Sequence, residues 1–153
     1  MTKEQRRTRF CAEITFRGAP LVSCILCIDD EQPGLSLRKA LLESAGYRVL
    51  AASSGREGIR LFESEPVDAV ILDYWMAGMN GLAVAREMKR LRPKVPIIIL
   101  SAFLMFPDET TGLADQCLRK AEIEPEDLLN ALAALLDNRR KQTISFACNQ
   151  AAP

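Results

Sequence analysis

Residues 67–73 read Val-Asp-Ala-Val-Ile-Leu-Asp, a run that is apolar apart from Asp68 and that ends at the carboxylate of Asp73. Short runs of this kind, rich in valine and isoleucine, are typical of strands that are buried on both faces of a parallel sheet. Residues 24–28 and 97–100 share the pattern and are also followed by polar side chains. We therefore predict that these three strands lie at the centre of one sheet.

Stretches with a helical spacing of apolar residues separate the strands along the chain. Residues 34–45 repeat leucine and alanine at this spacing and are closed by Gly46. The predicted strands are 24–28, 47–52, 67–72, 96–100 and 117–118, and the predicted helices are 34–45, 56–64, 82–91 and 126–136. Strands that alternate with helices build βαβ units. The predicted fold class is therefore α/β, a doubly wound five-stranded parallel sheet with helices on both faces.

One domain accounts for most of the chain. Its 153 residues, 48% apolar and 26% charged, suit a globular domain of ordinary size. We expect this domain at residues 23–137, between an N-terminal extension at 1–22 and a mobile C-terminal tail at 138–153. Apolar residues alternate between residues 9 and 16. The extension therefore fits either an additional edge strand or a disordered basic tail.

Composition removes several classes of function. The chain has no histidine, which excludes Ser-His-Asp and Cys-His catalysis and histidine-ligated metal sites. Residues 23–136 carry 17 acidic and 12 basic side chains, an excess of negative charge that disfavours a nucleic-acid-binding surface. The apolar runs are all shorter than the ~20 residues that span a bilayer, and the N-terminus lacks the apolar stretch of a secretory signal. We expect a cytoplasmic protein that does not bind membranes.

Cys24 and Cys27 have the CxxC spacing of some zinc and redox sites. On a strand, however, residues three apart face opposite sides of the sheet. We therefore interpret both thiols as small buried hydrophobic groups rather than as zinc ligands.

The residues that follow the predicted strands form a second pattern. Asp29 and Asp30 follow the first strand, Asp73 the third, Ser101 the fourth and Lys120 the fifth. Ligands of open α/β sheets bind beyond the carboxyl ends of the strands, so these groups are predicted to meet in one site. Each of them alone also fits an ordinary role as a turn, cap or surface residue. Their shared position at one edge of the sheet favours the site.

Three clustered carboxylates need a cation, because like charges that share a site raise one another's pKa. Mg²⁺ suits them, since it prefers hard oxygen ligands and retains waters that a phosphate can replace. Asp73 is predicted to lie between the metal and Lys120, which leaves its carboxylate to act as a nucleophile. Ser101 and Lys120 would hold the phosphoryl oxygens. The chemistry that results is the formation of an aspartyl phosphate.

The ordered combination of these motifs resembles the receiver domain of two-component response regulators. The matching segments are Ile28-Asp29-Asp30-Glu31, Asp73-Tyr-Trp-Met-Ala-Gly-Met-Asn-Gly81, Pro96-Ile-Ile-Ile-Leu-Ser101-Ala102 and Lys120. The resemblance covers about residues 23–137 and implies a flavodoxin-like receiver fold.

The resemblance also implies a role for each site residue. Asp73 would be the phospho-acceptor, and Ser101 and Lys120 would contact the phosphoryl group. The implied Mg²⁺ ligands are Asp29, Asp30, Asp73 and the backbone carbonyl of Trp75. The phosphoryl donor would be the phosphohistidine of a sensor histidine kinase or of a phosphotransfer protein.

The main hypothesis is a stand-alone phospho-acceptor response regulator in which phosphorylation of Asp73 switches a protein-interaction surface. The 17 residues at 137–153 are too few for a DNA-binding or catalytic output domain, so the expected target is an unknown downstream protein. The alternative is a phosphorylation-independent, receiver-like protein-binding module. Two departures from the family pattern favour it. Ala121 stands where a proline usually follows the lysine, and Cys117 stands where a Tyr or Phe often acts as the switch aromatic.

Enzymatic activity is expected to be limited to slow self-dephosphorylation. Haloacid-dehalogenase-like phosphatases also use Asp and Mg²⁺, but they require Asp-x-Asp after the first strand, where this chain has Asp29-Asp30-Glu31. The sequence contains no P-loop or GxGxxG motif, which disfavours nucleotide binding. Trp75, two residues after Asp73, is expected either to shield the phosphoryl group from water or to pack on a neighbouring loop.

Overall fold

The structure is a computed structural model that describes residues 22–102 and 112–150, with the side chains of residues 145–150 left out. In chain order its elements are β1 (Cys24–Ile28), α1 (Gln32–Ser44), β2 (Arg48–Ala52), α2 (Gly55–Ser64), β3 (Ala69–Asp73), α3 (Gly81–Leu91), β4 (Ile97–Ser101), β5 (Gln116–Arg119) and α4 (Pro125–Gln150). The predicted edge strand at residues 9–16 lies outside the described residues.

The five strands form one sheet in the order β2-β1-β3-β4-β5, and every neighbouring pair is parallel. The predicted doubly wound α/β fold is therefore confirmed. The strand order reverses at β1 and β3, whose carboxyl ends lie side by side because Ile28 pairs with Leu72. This is the switch point at which open α/β sheets bind their ligands.

Helices cover both faces of the sheet. On one face, Leu26 and Leu72 belong to a buried cluster with Phe62 of α2 and Met88 of α3. On the other face, a second buried cluster joins alternate strand residues to α1 and α4; its members include Ile25, Ile71, Ile98, Leu42 and Leu132. All residues of β1, β3 and β4 are buried, as predicted for central strands. The buried faces fix the register, since a shift by one residue would exchange the two sets.

The two cysteines of the CxxC spacing lie on opposite faces of β1, as predicted. Cys27 belongs to the cluster beneath α1 and α4, whereas Cys24 has the strand parity of Leu26, which belongs to the other cluster. Both thiols are buried. Burial raises the pKa of the Cys27 thiol to about 12, so it stays protonated near neutral pH.

The last helix is longer than predicted, because α4 continues past Leu136 and through residue 150, into the segment predicted as a C-terminal tail at 138–153. Residues 126–150 contain neither glycine nor proline, so nothing in the sequence ends the helix at Leu136. Arg139 donates through Nη1 to the backbone carbonyl of Asp68, and Arg140 donates through Nη2 to Ser23 Oγ at 2.9 Å. These bonds attach the next turn of the helix to the amino-terminal edge of the sheet.

The remaining differences are shifts of one or two residues at element ends. The first helix begins at Gln32 rather than at residue 34, with Pro33 in its first turn, where a missing N–H costs nothing. β3 begins at Ala69 and includes Asp73. Within the described parts of the chain, no helix is long and apolar enough to cross a membrane.

Candidate functional site

The first strand delivers two carboxylates with different surroundings. Asp29 is completely buried at the end of β1, and its Oδ1 accepts the backbone N–H of Glu31 at 2.9 Å. Asp30 is exposed, and its Oδ2 accepts the backbone N–H of Ala77 at 2.9 Å. The second bond ties the loop after β3 to the loop after β1. The two loops therefore form one wall of the site.

Asp73 ends β3 next to these loops and is 4% exposed. The backbone N–H of Tyr74 bonds the carbonyl of Leu100 at 2.8 Å, which carries the ladder between β3 and β4 one residue past Asp73. The following helix begins so close that a Cβ on Gly81 would lie 2.4 Å from the Asp73 carbonyl oxygen. Only glycine fits this approach. Asn80 caps that helix by accepting the N–H of Ala83 at 3.0 Å.

The three aspartates meet as the sequence predicts. Carboxylate oxygens of Asp29, Asp30 and Asp73 all lie within 4.8 Å of one another. Hard oxygen donors on three neighbouring carboxylates match the preference of Mg²⁺, with one exposed member leaving a route for its waters. The residues present therefore fit a magnesium ion. The Trp75 carbonyl, the fourth implied ligand, stays a prediction.

Lys120 crosses the site from β5. Its Nζ lies 3.0 Å from Asp29 Oδ2 and 3.0 Å from Asp73 Oδ1. The backbone N–H of Lys120 donates to the Ser101 carbonyl at 2.8 Å, which extends the pairing of β4 with β5 and fixes the start of the side chain. This bond holds the lysine in place although Ala121 replaces the usual proline.

The charges of Asp73 and Lys120 are coupled. Burial raises the pKa of the Asp73 carboxyl above its usual value, and the hydrogen bond from Lys120 opposes this shift without cancelling it. Burial also acts to lower the pKa of the Lys120 ammonium. Its hydrogen bonds to Asp73 and Asp29 outweigh burial, so that the Lys120 pKa is raised. Near neutral pH the lysine is therefore a fixed positive charge beside the candidate nucleophile.

The other predicted residues surround this centre. Ser101 ends β4 and is 1% exposed, in register with Arg119 of β5. Trp75 is 57% exposed, and its ring meets that of Tyr74 edge to face at a centroid distance of 5.4 Å. Cys117, at the predicted switch position, packs against the cluster beneath α2 and α3. The small thiol of Cys117 thus lies where the resemblance to the family leads us to expect an aromatic ring.

Sequence reasoning missed Arg38. Its Nη2 forms an ion pair with Asp29 Oδ2, the same oxygen that Lys120 contacts. The site therefore contains two cations and three carboxylates. The sequence feature that could have indicated Arg38 is its position on the helix that follows Asp29 and Asp30, two turns from the start and four residues after Gly34. Residues four apart lie on one helix face, but the pattern alone does not say where that face points.

Comparisons with known proteins identify relatives of this chain. The family model of the response regulator receiver domain matches residues 25–133. The transcriptional regulatory protein GlrR of Escherichia coli (strain K12) is 40% identical over 84 residues, which cover 55% of this chain and 19% of that protein. The chain spans between a fifth and about a half of the length of the curated relatives that it matches.

Solved receiver structures share the fold. A response regulator receiver domain from Clostridium thermocellum matches with a TM-score of 0.71 and 32% identity, over 79% of this chain and 99% of that one. The response regulator TrrA from Thermotoga maritima, solved in complex with Mg²⁺ and BeF, matches with a TM-score of 0.70 and 31% identity, over 74% of this chain and 99% of that one.

Proposed function

This chain belongs to the response regulator receiver domain family, and from that premise we propose that Asp73 is its phospho-acceptor in a two-component system. The observation that carries the proposal is the position of Asp73, buried at the end of a central strand between two further carboxylates and a lysine ammonium. Residues 23–137 are the proposed receiver domain, slightly longer than the matched residues 25–133.

The proposed reaction is transfer of a phosphoryl group from a phosphohistidine. A carboxylate oxygen of Asp73 forms a bond to phosphorus while the P–N bond to the donor imidazole breaks. The electron pair of that bond stays on the imidazole nitrogen, which takes up a proton. Most of the work in such a transfer is positioning and charge neutralisation rather than proton transfer by the protein, which suits a recipient without histidine.

Lys120 and Ser101 are proposed to hold the transferred group. The ammonium lies 3.0 Å from Asp73 Oδ1, near enough to contact an oxygen of a phosphoryl group on the same carboxylate. The raised pKa of Lys120 supports this role, because the charge is retained at any physiological pH. Ser101 ends the strand next to β3, and its hydroxyl is the proposed second contact.

Mg²⁺ is the proposed cofactor, held by the carboxylates of Asp29, Asp30 and Asp73 and by the backbone carbonyl of Trp75. A bound magnesium ion neutralises phosphoryl oxygens during transfer. The oxygen cluster described above supports this assignment, as does the Mg²⁺ in the similar structure of TrrA.

We propose that the partners are a sensor histidine kinase or phosphotransfer protein as donor and a downstream protein as target. Phosphorylation of Asp73 is proposed to switch a protein-interaction surface of the receiver domain. Catalysis is proposed to stop at slow self-dephosphorylation. The alternative, a binding module that ignores phosphorylation, is favoured by one observation, the thiol of Cys117 at the switch position.

Intact-mass spectrometry after incubation with acetyl phosphate tests the proposal. We expect the wild-type protein to gain one phosphoryl group with Mg²⁺ and none with EDTA, and Asp73→Asn to gain none. Asp137→Asn, which changes an exposed carboxylate on α4, is the matched control and should behave like the wild type. A folded wild-type protein that binds Mg²⁺ but gains no phosphoryl group would support the binding module instead.

A second assay separates the receiver from a phosphatase. With small phosphate esters in large excess, a receiver releases no more than trace phosphate per molecule of protein. Sustained release over many turnovers, lost in Asp73→Asn, would contradict the proposed function.

A further inference from the structure

Arg38 of α1 contacts the acidic cluster through Asp29. Its side chain is 12% exposed, and Nη2 pairs with Oδ2 of the fully buried Asp29. Nη1 of the same guanidinium is buried without a hydrogen-bond partner among the described residues. A buried donor without a partner is costly, so the ion pair with Asp29 must outweigh that cost.

Gly34 makes the room that Arg38 needs. It lies one helical turn earlier, and a Cβ at this position would be 3.1 Å from Arg38 Nη2 and 3.8 Å from Asp29 Oδ2. Any side chain on Gly34 would therefore press on the guanidinium where it meets the carboxylate. The glycine and the arginine act together as one arrangement on the first helix.

The two oxygens of Asp29 are already engaged by protein groups. Oδ1 accepts the N–H of Glu31, and Oδ2 accepts both Arg38 and Lys120. Lys120 also forms an ion pair with a second carboxylate, that of Asp73. Among the described residues, Arg38 pairs with the carboxylate of Asp29 alone. A divalent cation that binds Asp29 must find a lone pair on these oxygens and must tolerate the guanidinium charge beside them.

We propose that Arg38 is a built-in counterion that competes with Mg²⁺ for Asp29 and so lowers the affinity of the site for the metal. The inference rests on the proposed function, because it concerns the same magnesium site. In the metal-free protein, Arg38 neutralises Asp29 and keeps the buried carboxylate in place. A magnesium ion bound by Asp29 would have to displace the guanidinium of Arg38 from Oδ2. Arg38 is a positioning residue, since it acts on the metal site through its contact with Asp29.

A Mg²⁺ titration followed by tryptophan fluorescence tests the competition. Trp75 is the single tryptophan of the chain and lies two residues after Asp73, so its emission reports on the site without phosphorylation. We expect Arg38→Met, which retains the apolar part of the side chain, to bind Mg²⁺ about tenfold more tightly than the wild type, as the loss of one competing charged hydrogen bond allows.

Lys39→Met is the matched control. It removes the same unit of charge from the neighbouring helix position, where Lys39 is 45% exposed and pairs with Glu43. Competition through direct contact predicts that Lys39→Met binds Mg²⁺ as the wild type does. An equal increase in Mg²⁺ affinity in both variants would overturn the proposal. It would show that any loss of positive charge near the site has this effect, without direct contact with Asp29.

Gly34→Ala supplies a second, independent variant. The added methyl group favours the helix and displaces the flexible end of Arg38, so Mg²⁺ affinity should rise in the same direction as in Arg38→Met. The shift of the melting temperature with Mg²⁺ provides a readout that does not depend on Trp75 emission.

The outcomes separate this inference from the proposed function. Wild-type and Arg38→Met proteins that bind Mg²⁺ with equal affinity would overturn the competition and leave the receiver proposal intact. Weaker binding in Arg38→Met would also overturn it, by showing that Arg38 supports the metal. Folded proteins that all fail to bind Mg²⁺ would contradict the proposed function, and the inference with it.

Discussion

Lys120 Nζ lies 3.0 Å from Asp73 Oδ1, which joins the edge strand β5 to the central strand β3 across the intervening β4. Because Asp73 is buried, this ion pair is shielded from water far better than a surface pair. The contact places a positive charge against the carboxylate that is proposed as the phospho-acceptor.

Replacing Lys120 with Met should slow phosphorylation by acetyl phosphate about 100-fold, the usual cost of losing one donor that stabilises a developing charge. The change removes the cation that faces the phosphoryl oxygens and leaves Asp73 beside two carboxylates. The rate of mass gain under saturating Mg²⁺ is the measurement. Lys94→Met, at an exposed position, is the control. A normal rate in Lys120→Met would show that the lysine does not take part.

Asp73→Asn should stabilise the metal-free protein. The folded-state pKa of Asp73 lies above the ordinary 3.8 because of burial, so the folded protein binds this proton more tightly than the unfolded chain. Stability therefore falls as pH rises from 3.8 through the folded-state pKa, and the ionised group disfavours folding at pH 7. We expect Asn to add about 0.5–2 kcal/mol at neutral pH, the usual gain from a single stabilising substitution.

Urea unfolding in EDTA at several pH values measures this difference. The gain in stability should shrink as pH falls towards 3.8 and disappear below it, where the carboxyl is protonated in both the folded and the unfolded wild type. Asp137→Asn should change little at any pH, because its carboxylate is exposed. A less stable Asp73→Asn at pH 7 would mean that the ion pair with Lys120 outweighs the burial of the carboxylate.

Trp75→Ala should hasten the loss of phosphate from the phosphorylated protein several-fold. The indole follows Asp73 by two residues and is 57% exposed, which suits a ring that covers the mouth of the site and limits the access of water. The half-life of the phosphorylated mass after removal of acetyl phosphate gives the answer. Leu37→Ala, which removes another exposed apolar side chain, serves as the comparison. An unchanged half-life would assign Trp75 to loop packing.

Cys27 should resist alkylation in the folded protein. Its thiol is buried and has a pKa of about 12, so at pH 8 only about one molecule in ten thousand carries the reactive thiolate, even with access. Peptide mapping after iodoacetamide treatment, with and without urea, measures the protection of each cysteine. Rapid labelling of Cys27 without urea would contradict its position in the sheet.

The fold could be predicted from the sequence because its signals are local. The three apolar strands, the helical spacing between them and the polar residue after each strand fix the sheet and bring Asp29, Asp73 and Lys120 to one edge. The strand-end rule for α/β sheets then locates the site without any knowledge of side-chain geometry.

Two features could not be predicted because they depend on distant contacts. The continuation of α4 is stabilised by hydrogen bonds from Arg139 and Arg140 to residues at the amino-terminal edge of the sheet. From the sequence alone, basic residues after a predicted helix fit a solvated tail equally well. The ion pair of Arg38 with Asp29 depends on the space that Gly34 leaves beside it, and this space is formed only when the helix packs on the sheet.

The proposed function depends on Asp73 itself receiving the phosphoryl group. Borohydride reduction of the phosphorylated protein, followed by peptide mapping, identifies the acceptor, since an acyl phosphate on aspartate is reduced to homoserine. We expect homoserine at position 73, dependent on Mg²⁺ during phosphorylation. Homoserine at Asp29 or Asp30, or a stable phosphate on a hydroxyl group, would contradict it.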